Sequence, residues 1–327
     1  MTELSADIPA GMTPRVSRRL EEARLPLGSV VAIGSFDGVH LGHQAVIGEA
    51  IALTQRIGRG GGSPGVVAAL TFAPHPAKLL APDLAPSLIA TADQRTTWLG
   101  EAGVDHVVLL PFDADLAEIS ARGFISDILI GHLGVAGVVV GFDFTYGKGG
   151  TGNTQLLLEE GARRDLQVRV VEPFHLDGLL VSSTKIREFI LSGRVYGAMT
   201  LLGRPFELSG EVIRGKARGR SLGFPTANLA ADQEIRPANG VYAARARVGG
   251  ELIDAAVSIG IVPTFDNGND VTVEAYLLDF DGDLYGETIS LEFIKRLRPE
   301  RRFDGPEALI AQITEDVKQV RDILLTL

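Results

Sequence analysis

Four short runs in the first 200 residues are apolar on every residue: Val30-Val31-Ala32-Ile33, Val66-Val67-Ala68-Ala69-Leu70, Val107-Val108-Leu109-Leu110 and Val138-Val139-Val140. A weaker fifth follows at Val168-Arg169-Val170-Val171. Helix-length segments separate them, at residues 43–57, 91–102 and 154–166, with a last one near 183–191. A strand apolar on both faces must be covered on both faces, so alternation with helices predicts a parallel, doubly wound α/β sheet. In such sheets ligands bind at the carboxyl ends of the strands.

The pattern changes near Leu202. Half-apolar segments at 211–213, 240–245, 271–276 and 288–291 are separated by turn residues, which predicts an antiparallel sheet or small barrel. Asp281-Gly282-Asp283 reads as a hairpin turn. In the last segment, Leu309, Ile310, Ile313, Val317, Val320, Ile323 and Leu324 share a helical face that would lie on that barrel. The expected organisation is an N-terminal extension over 1–24, read as floppy, then domains at 25–200 and 201–327.

Composition narrows the function. The 327 residues include no cysteine, which excludes disulfides, thiolate metal sites and thiol nucleophiles. The formal net charge of −10 argues against a general nucleic-acid binder. There is no long apolar run for a membrane span and no secretory h-region at the N-terminus, so a cytoplasmic protein is expected. All six histidines precede residue 176, so a proton acceptor in the second domain would be a carboxylate or, failing that, Lys or Tyr. The remaining histidines His106, His132 and His175 read as surface or loop residues.

Two constellations carry chemistry. Gly34-Ser35-Phe36-Asp37-Gly38-Val39-His40-Leu41-Gly42-His43 leaves the first apolar run and enters a helix. Such a turn offers free backbone N–H groups to phosphate, and two imidazoles three apart can donate to charge growing on phosphorus. A tight turn with two surface histidines and a zinc site are the alternatives. Ser182-Ser183-Thr184-Lys185-Ile186-Arg187 opens another helix, where hydroxyls can cap or bind phosphate and Arg187 can clamp it. Phe72, Phe144 and Tyr146 follow the second and fourth runs, either as core or as stacking surfaces. His75, between two prolines, is either a rigid loop element or a catalyst. The second constellation, residues 214–228, sets four bases among glycines and ends in Phe224-Pro225-Thr226-Ala227-Asn228. It reads as a polyphosphate loop, a solvated loop or a nucleic-acid patch. Thr226 and Asn228 offer hard oxygens to Mg²⁺.

The string His40-Leu41-Gly42-His43 matches the HxGH signature of the adenylyltransferase superfamily, and the Ser182–Arg187 stretch resembles its second motif. The Pro-Thr-Ala-Asn tail, Gly240-Val241-Tyr242, Val273-Glu274-Ala275-Tyr276 and Leu297-Arg298-Pro299-Glu300 resemble riboflavin kinase. From about residue 25 onward the chain is identified as resembling the bifunctional prokaryotic riboflavin kinase/FAD synthetases. That resemblance implies a Rossmann-like nucleotidyltransferase domain, then a small antiparallel kinase barrel with a C-terminal helix. It implies that riboflavin is phosphorylated to FMN and FMN adenylylated to FAD, each with ATP and Mg²⁺. Glu274 would be the kinase base, with Thr226 and Asn228 holding metal and Gly215, Lys216, Ala217, Gly223 and Pro225 flanking the nucleotide. In the first domain His40, His43, Ser182, Thr184 and Arg187 would handle ATP phosphates, and Gly34, Phe36, Asp37, Gly42 and Asp143 would line the nucleotide pocket. Phe72, Phe144, Tyr146 and Arg298 would contact flavin. Ser258 and Val262 depart from the family pattern, which usually carries Asn at the first position and Arg or Asn at the second. No nucleic-acid or membrane partner is implied, and self-association is compatible with the sequence.

Overall fold

A computed structural model of the chain describes residues 13–60, 65–215, 219, 222–263 and 269–326. It divides into two compact units, Met1–Val181 and Ser182–Leu327.

The first unit holds strands β1 (Arg15–Ser17), β2 (Val30–Ile33), β3 (Val67–Phe72), β4 (His106–Leu110), β5 (Gly137–Gly141), β6 (Thr145–Tyr146), β7 (Gly152–Asn153), β8 (Gln167–Val171), β9 (His175–Leu176) and β10 (Leu179–Leu180). Its helices are α1 (Leu41–Arg59), α2 (Pro76–Leu80), α3 (Ala92–Glu101), α4 (Ala114–Ala117), α5 (Ala121–Gly123, continued by the π-helical Phe124–His132) and α6 (Thr154–Arg163). Six strands form one sheet in the order β1-β4-β3-β2-β5-β8, parallel at every pairing. Alternate residues of β2 explain why it is apolar throughout. Val31 and Ile33 belong to the core on one face, Val30 and Ala32 to the core on the other.

The N-terminal extension is not floppy over residues 15–22. β1 pairs with β4, and a short 3₁₀ turn follows at Leu20–Glu22. The tie is polar. The Ser17 hydroxyl donates to the Glu22 carbonyl (3.0 Å) and lies 2.9 Å from His106 Nε2, from which it then accepts. His106 is therefore a buried strand residue at 4% exposure, not a surface one.

The second unit begins with α7 (Ser183–Leu191) and α8 (Val195–Leu202). Strands β11 (Phe206–Ile213), β12 (Ala227–Ala231), β13 (Gly240–Val248), β14 (Glu251–Pro263), β15 (Asn269–Leu277) and β16 (Thr288–Arg298) follow, then α9 (Pro306–Leu324). The strands close into an antiparallel barrel, β11-β12-β15-β14-β13-β16. α9 sets Val320 and Leu324 against Ala243, Leu278 and Ile294. The hairpin expected at Asp281-Gly282-Asp283 does not form, because β15 pairs with β12 and β14 while β16 pairs with β11 and β13. Barrel closure sends the chain across the end instead of back along its neighbour.

Burial, and secondarily Arg15, holds the His106 imidazole below its ordinary value of 6.5. The folded protein favours the neutral ring, so the unfolded chain takes up the proton first. The contribution to stability is complete above that ordinary value and is lost as pH falls below it. His106→Gln should flatten the fall in unfolding free energy between about pH 7 and 5, read from denaturant midpoints across that range.

Candidate active sites

The turn from β2 into α1 is strained and tightly braced. Phe36, Gly38 and Val39 have φ of +49°, +83° and +40°. That region is costly for a β-branched residue such as Val39. Asp37, only 1% exposed, accepts from the backbone N–H groups of Ile89 (3.0 Å) and Ala90 (3.2 Å). Arg95 of α3, 3% exposed, donates to the carbonyls of Ser35 (2.8 Å) and Phe72 (2.9 Å). The Thr71 hydroxyl also donates to Ser35 (3.1 Å).

His40 caps α1, its Nδ1 accepting from the His43 N–H at 3.3 Å, which puts the proton of the neutral ring on Nε2. The two imidazoles stack with centroids 3.6 Å apart, and the Phe36 ring meets His43 edge-on at 5.3 Å. A Cβ on Gly42 would lie 3.1 Å from the His40 ring, so glycine lets that ring fold over the helix start. His40, Gly42 and His43 thus form one cradle, and Gly34 lies beside the Phe36 ring that supports it. Phe36 and Asp37, expected in the nucleotide pocket, are instead buried beneath it. One supports His43 and the other anchors the turn.

Phe72, Phe144 and Tyr146 come together, and Phe112 and Phe124 join them around an apolar pocket of about 200 Å³. Phe144 stacks on Tyr146 at 5.3 Å, and Phe72 meets Phe112 edge-on at 5.5 Å. Pro76 and Leu80 of α2 form part of the wall, and His75 caps that helix through Ala77 N–H (3.2 Å). That cap fits the rigid-loop reading of His75. The Tyr146 hydroxyl is buried and has no partner among the described residues. Burial, with the charge of Glu160 second, pushes its pKa up to about 12. Asp143 is exposed beyond β5.

Ser182, Thr184 and Arg187 lie at the start of α7, in the second unit. Ser182 caps the helix through Lys185 N–H (3.3 Å), Thr184 is exposed and Arg187 half-buried.

On the barrel, the register sets Glu274 of β15 opposite Asn228 of β12 on one side and Ser258 of β14 on the other. Directly opposed residues share a face. The flanking Val273 and Ala275 are buried, so Glu274 is on the other face, half-exposed. A Cβ on Gly215 would come within 2.3 Å of the Asn228 side-chain amide, so a larger residue there would displace that amide. Pro225, Thr226 and Ala227 line a small pocket of about 70 Å³ with Phe280, Asp283 and Tyr285. Gly223 adopts φ +88° in the turn before Phe224. Lys216 and Ala217 lie outside the described residues. Arg298, expected at the flavin, is engaged by Asp316 of α9 through a bidentate pair (2.7 and 3.0 Å), which ties β16 to that helix.

Family models for FAD synthetase and riboflavin kinase match residues 23–185 and 202–324. The chain is 38% identical to the bifunctional riboflavin kinase/FMN adenylyltransferase of Bacillus subtilis, over 89% of this chain and 91% of that one. It is likewise 38% identical to that of Pseudomonas fluorescens, over 90% and 92%. The chain belongs to the bifunctional riboflavin kinase/FMN adenylyltransferase family. A solved structure described as a macrolide-efflux protein from Streptococcus pneumoniae superposes with a TM-score of 0.84 at 30% identity, covering 95% of this chain and 99% of that one. In this family member no helix among the described residues is long and apolar enough to cross a membrane.

Sequence reasoning did not single out Phe112 and Phe124, which line the pocket, or Arg95, which braces the turn. Phe112 follows the third apolar run, so its place at a strand end was a usable signal. Phe124 and Arg95 sit on helices and carry no local signal.

Asp37→Ala should destabilise the first unit by about 2–3 kcal/mol, since it strands two buried backbone donors. Denaturation followed by fluorescence of Trp98, the single tryptophan, reads this directly. Tyr146→Phe should instead raise stability by about 1 kcal/mol by removing an unsatisfied hydroxyl, measured the same way.

Proposed function

We propose that residues 201–327 phosphorylate riboflavin and that residues 25–200 adenylylate the FMN so formed, each with its own ATP. The register that flanks Glu274 with Asn228 and Ser258 carries the kinase half of this reading. The Glu274 carboxylate takes the proton of the ribityl 5′-hydroxyl. That oxygen bonds to the γ-phosphorus of ATP, the bond to the β,γ-bridging oxygen breaks, and ADP leaves. Thr226 and Asn228 supply hard oxygens suited to Mg²⁺, and the ion, when bound, offsets the negative charge of the triphosphate. Gly215, Gly223 and Pro225 shape the nucleotide side, and the family resemblance adds Lys216 and Ala217 to it.

In the adenylyltransferase, an FMN phosphate oxygen bonds to the α-phosphorus of ATP and pyrophosphate leaves. His40 and His43, at the start of α1, donate to the charge that grows on the phosphoryl oxygens. Gly34, Gly42 and Asp143 border the nucleotide, and Ser182, Thr184 and Arg187 add hydroxyl and guanidinium contacts to its phosphates. The pocket of Phe72, Phe144 and Tyr146 takes the flavin ring. Arg298 supports the kinase unit through Asp316. Both steps consume ATP, which supports a cytoplasmic location.

Glu274→Gln should lower FMN formation by about 10²–10⁴-fold and leave FAD formation from supplied FMN intact. His43→Ala should do the reverse. Chromatography of flavins from riboflavin, ATP and Mg²⁺ checks both. Loss of both conversions from one substitution in folded protein would sink the division of labour.

A further inference from the structure

Arg95 donates to the backbone of both loops on which the proposed adenylyl transfer depends. It reaches the Ser35 carbonyl, inside the turn that delivers His40 and His43, and the Phe72 carbonyl, where β3 ends and the aromatic pocket begins. Its own helix is held in return. Asp37, from the same turn, grips Ile89 and Ala90, just ahead of the Thr91 cap that starts α3. The result is a closed bracket in which the turn anchors the helix and the helix anchors the turn.

We propose that Arg95 is a positioning residue that couples the ATP-phosphate turn to the flavin pocket, so that the two substrates are held in register by one buried guanidinium. The proposal rests on the site assignment made above. It follows from geometry that neither loop supplies alone. Ser35 lies in the turn just beyond β2 and Phe72 ends the neighbouring parallel strand β3, and the carbonyls of both accept from Arg95, a side chain 3% exposed. A guanidinium has the fork of donors needed to hold two acceptors at once, which a lysine ammonium on a flexible stem does less rigidly. With the fork removed, the Phe72 carbonyl loses its side-chain donor, the Ser35 carbonyl keeps only Thr71, and the strained turn loses a brace. Small displacements of reacting groups cost large factors in rate.

Arg95→Met and Arg95→Lys in the full chain test this. FAD formation from supplied FMN is measured by chromatography while ATP and FMN are each varied. FMN formation from riboflavin in the same protein serves as an internal control, and the unfolding midpoint of Trp98 fluorescence reports the integrity of the first unit. For Arg95→Met, KM for ATP and KM for FMN should rise together, by about tenfold each, and adenylyl-transfer kcat/KM should fall by about 10²-fold. The kinase parameters should stay within about twofold of wild type, and Arg95→Lys should fall between the two. FMN binding, followed by quenching of its own fluorescence, should tighten with α,β-methylene-ATP in the wild type and should not do so in Arg95→Met. A rise in only one KM, no change in either, or retained coupling in the binding assay overturns the proposal. If Arg95→Met does not fold, Arg95→Lys decides alone: joint, intermediate KM increases support the coupling, and one-sided or absent effects overturn it. Wild-type protein that leaves FMN unconverted would overturn the site assignment itself, a result distinct from any obtained with the variants.

Discussion

The first unit depends on a strand that cannot yield. β2 is buried on both faces, with Val30, Val31 and Ala32 wholly covered, and it is paired on both edges, with β3 and β5. The chain must therefore turn into α1 from a fixed point, and it does so through three positive-φ residues. Strain at non-glycine positions costs on the order of 1–3 kcal/mol each. Charge-assisted hydrogen bonds of roughly 1.5–3 kcal/mol from Asp37 and Arg95 are of the size needed to offset it. The cradle is thus a conformation imposed by the sheet and held by two buried charges. For the adenylyl transfer proposed above, that bracing would fix His40 and His43 in advance of the ligand, which is how preorganised electrostatic stabilisation operates.

The barrel reaches a comparable end through register. Closure leaves no free edge along which β15 could slide, and Val257, Ile259, Val273 and Ala275 fill its interior. A slip by one residue would carry Glu274 into that interior and its apolar neighbours out of it. The apolar alternation therefore protects the position of the carboxylate as firmly as a dedicated hydrogen bond would. Asn228 and Ser258 flank it through the same constraint.

Much of this was legible in the sequence, for physical reasons that differ by element. The parallel strands showed because residues covered on both faces are apolar at every position. β1 did not show, because a three-residue strand, Arg15-Val16-Ser17, has no pattern of its own and is fixed by a tertiary contact with His106. The turn at Asp281-Gly282-Asp283 was misread as a hairpin because a local turn preference says nothing about which strand comes next around a closed barrel. His40, His43, Thr226, Asn228 and Glu274 were singled out through residue type, spacing and family resemblance. The burial of Phe36 and Asp37 was not, since a loop sequence does not disclose which of its residues face inward. Arg95 was invisible for the converse reason: a lone arginine on a predicted helix reads as a solvated charge until its partners are known.

The two sites also differ in how a loop is brought against its neighbours. In the first unit, charged side chains reach backbone groups across the gap between strand ends. On the barrel, backbone itself makes the approach: Gly215 rests against the Asn228 side chain, and Gly219 lies beside Thr226 and the carbonyl of Phe224. A side chain at either glycine would occupy the space next to the two proposed oxygen donors. The glycine richness of residues 214–223 then has a definite meaning at these two positions. It lets main chain lie against the two proposed oxygen donors, while Arg214 is set over the Tyr285 ring at 4.9 Å. At these two glycines it is backbone, not a side chain, that lies against Asn228 and Thr226.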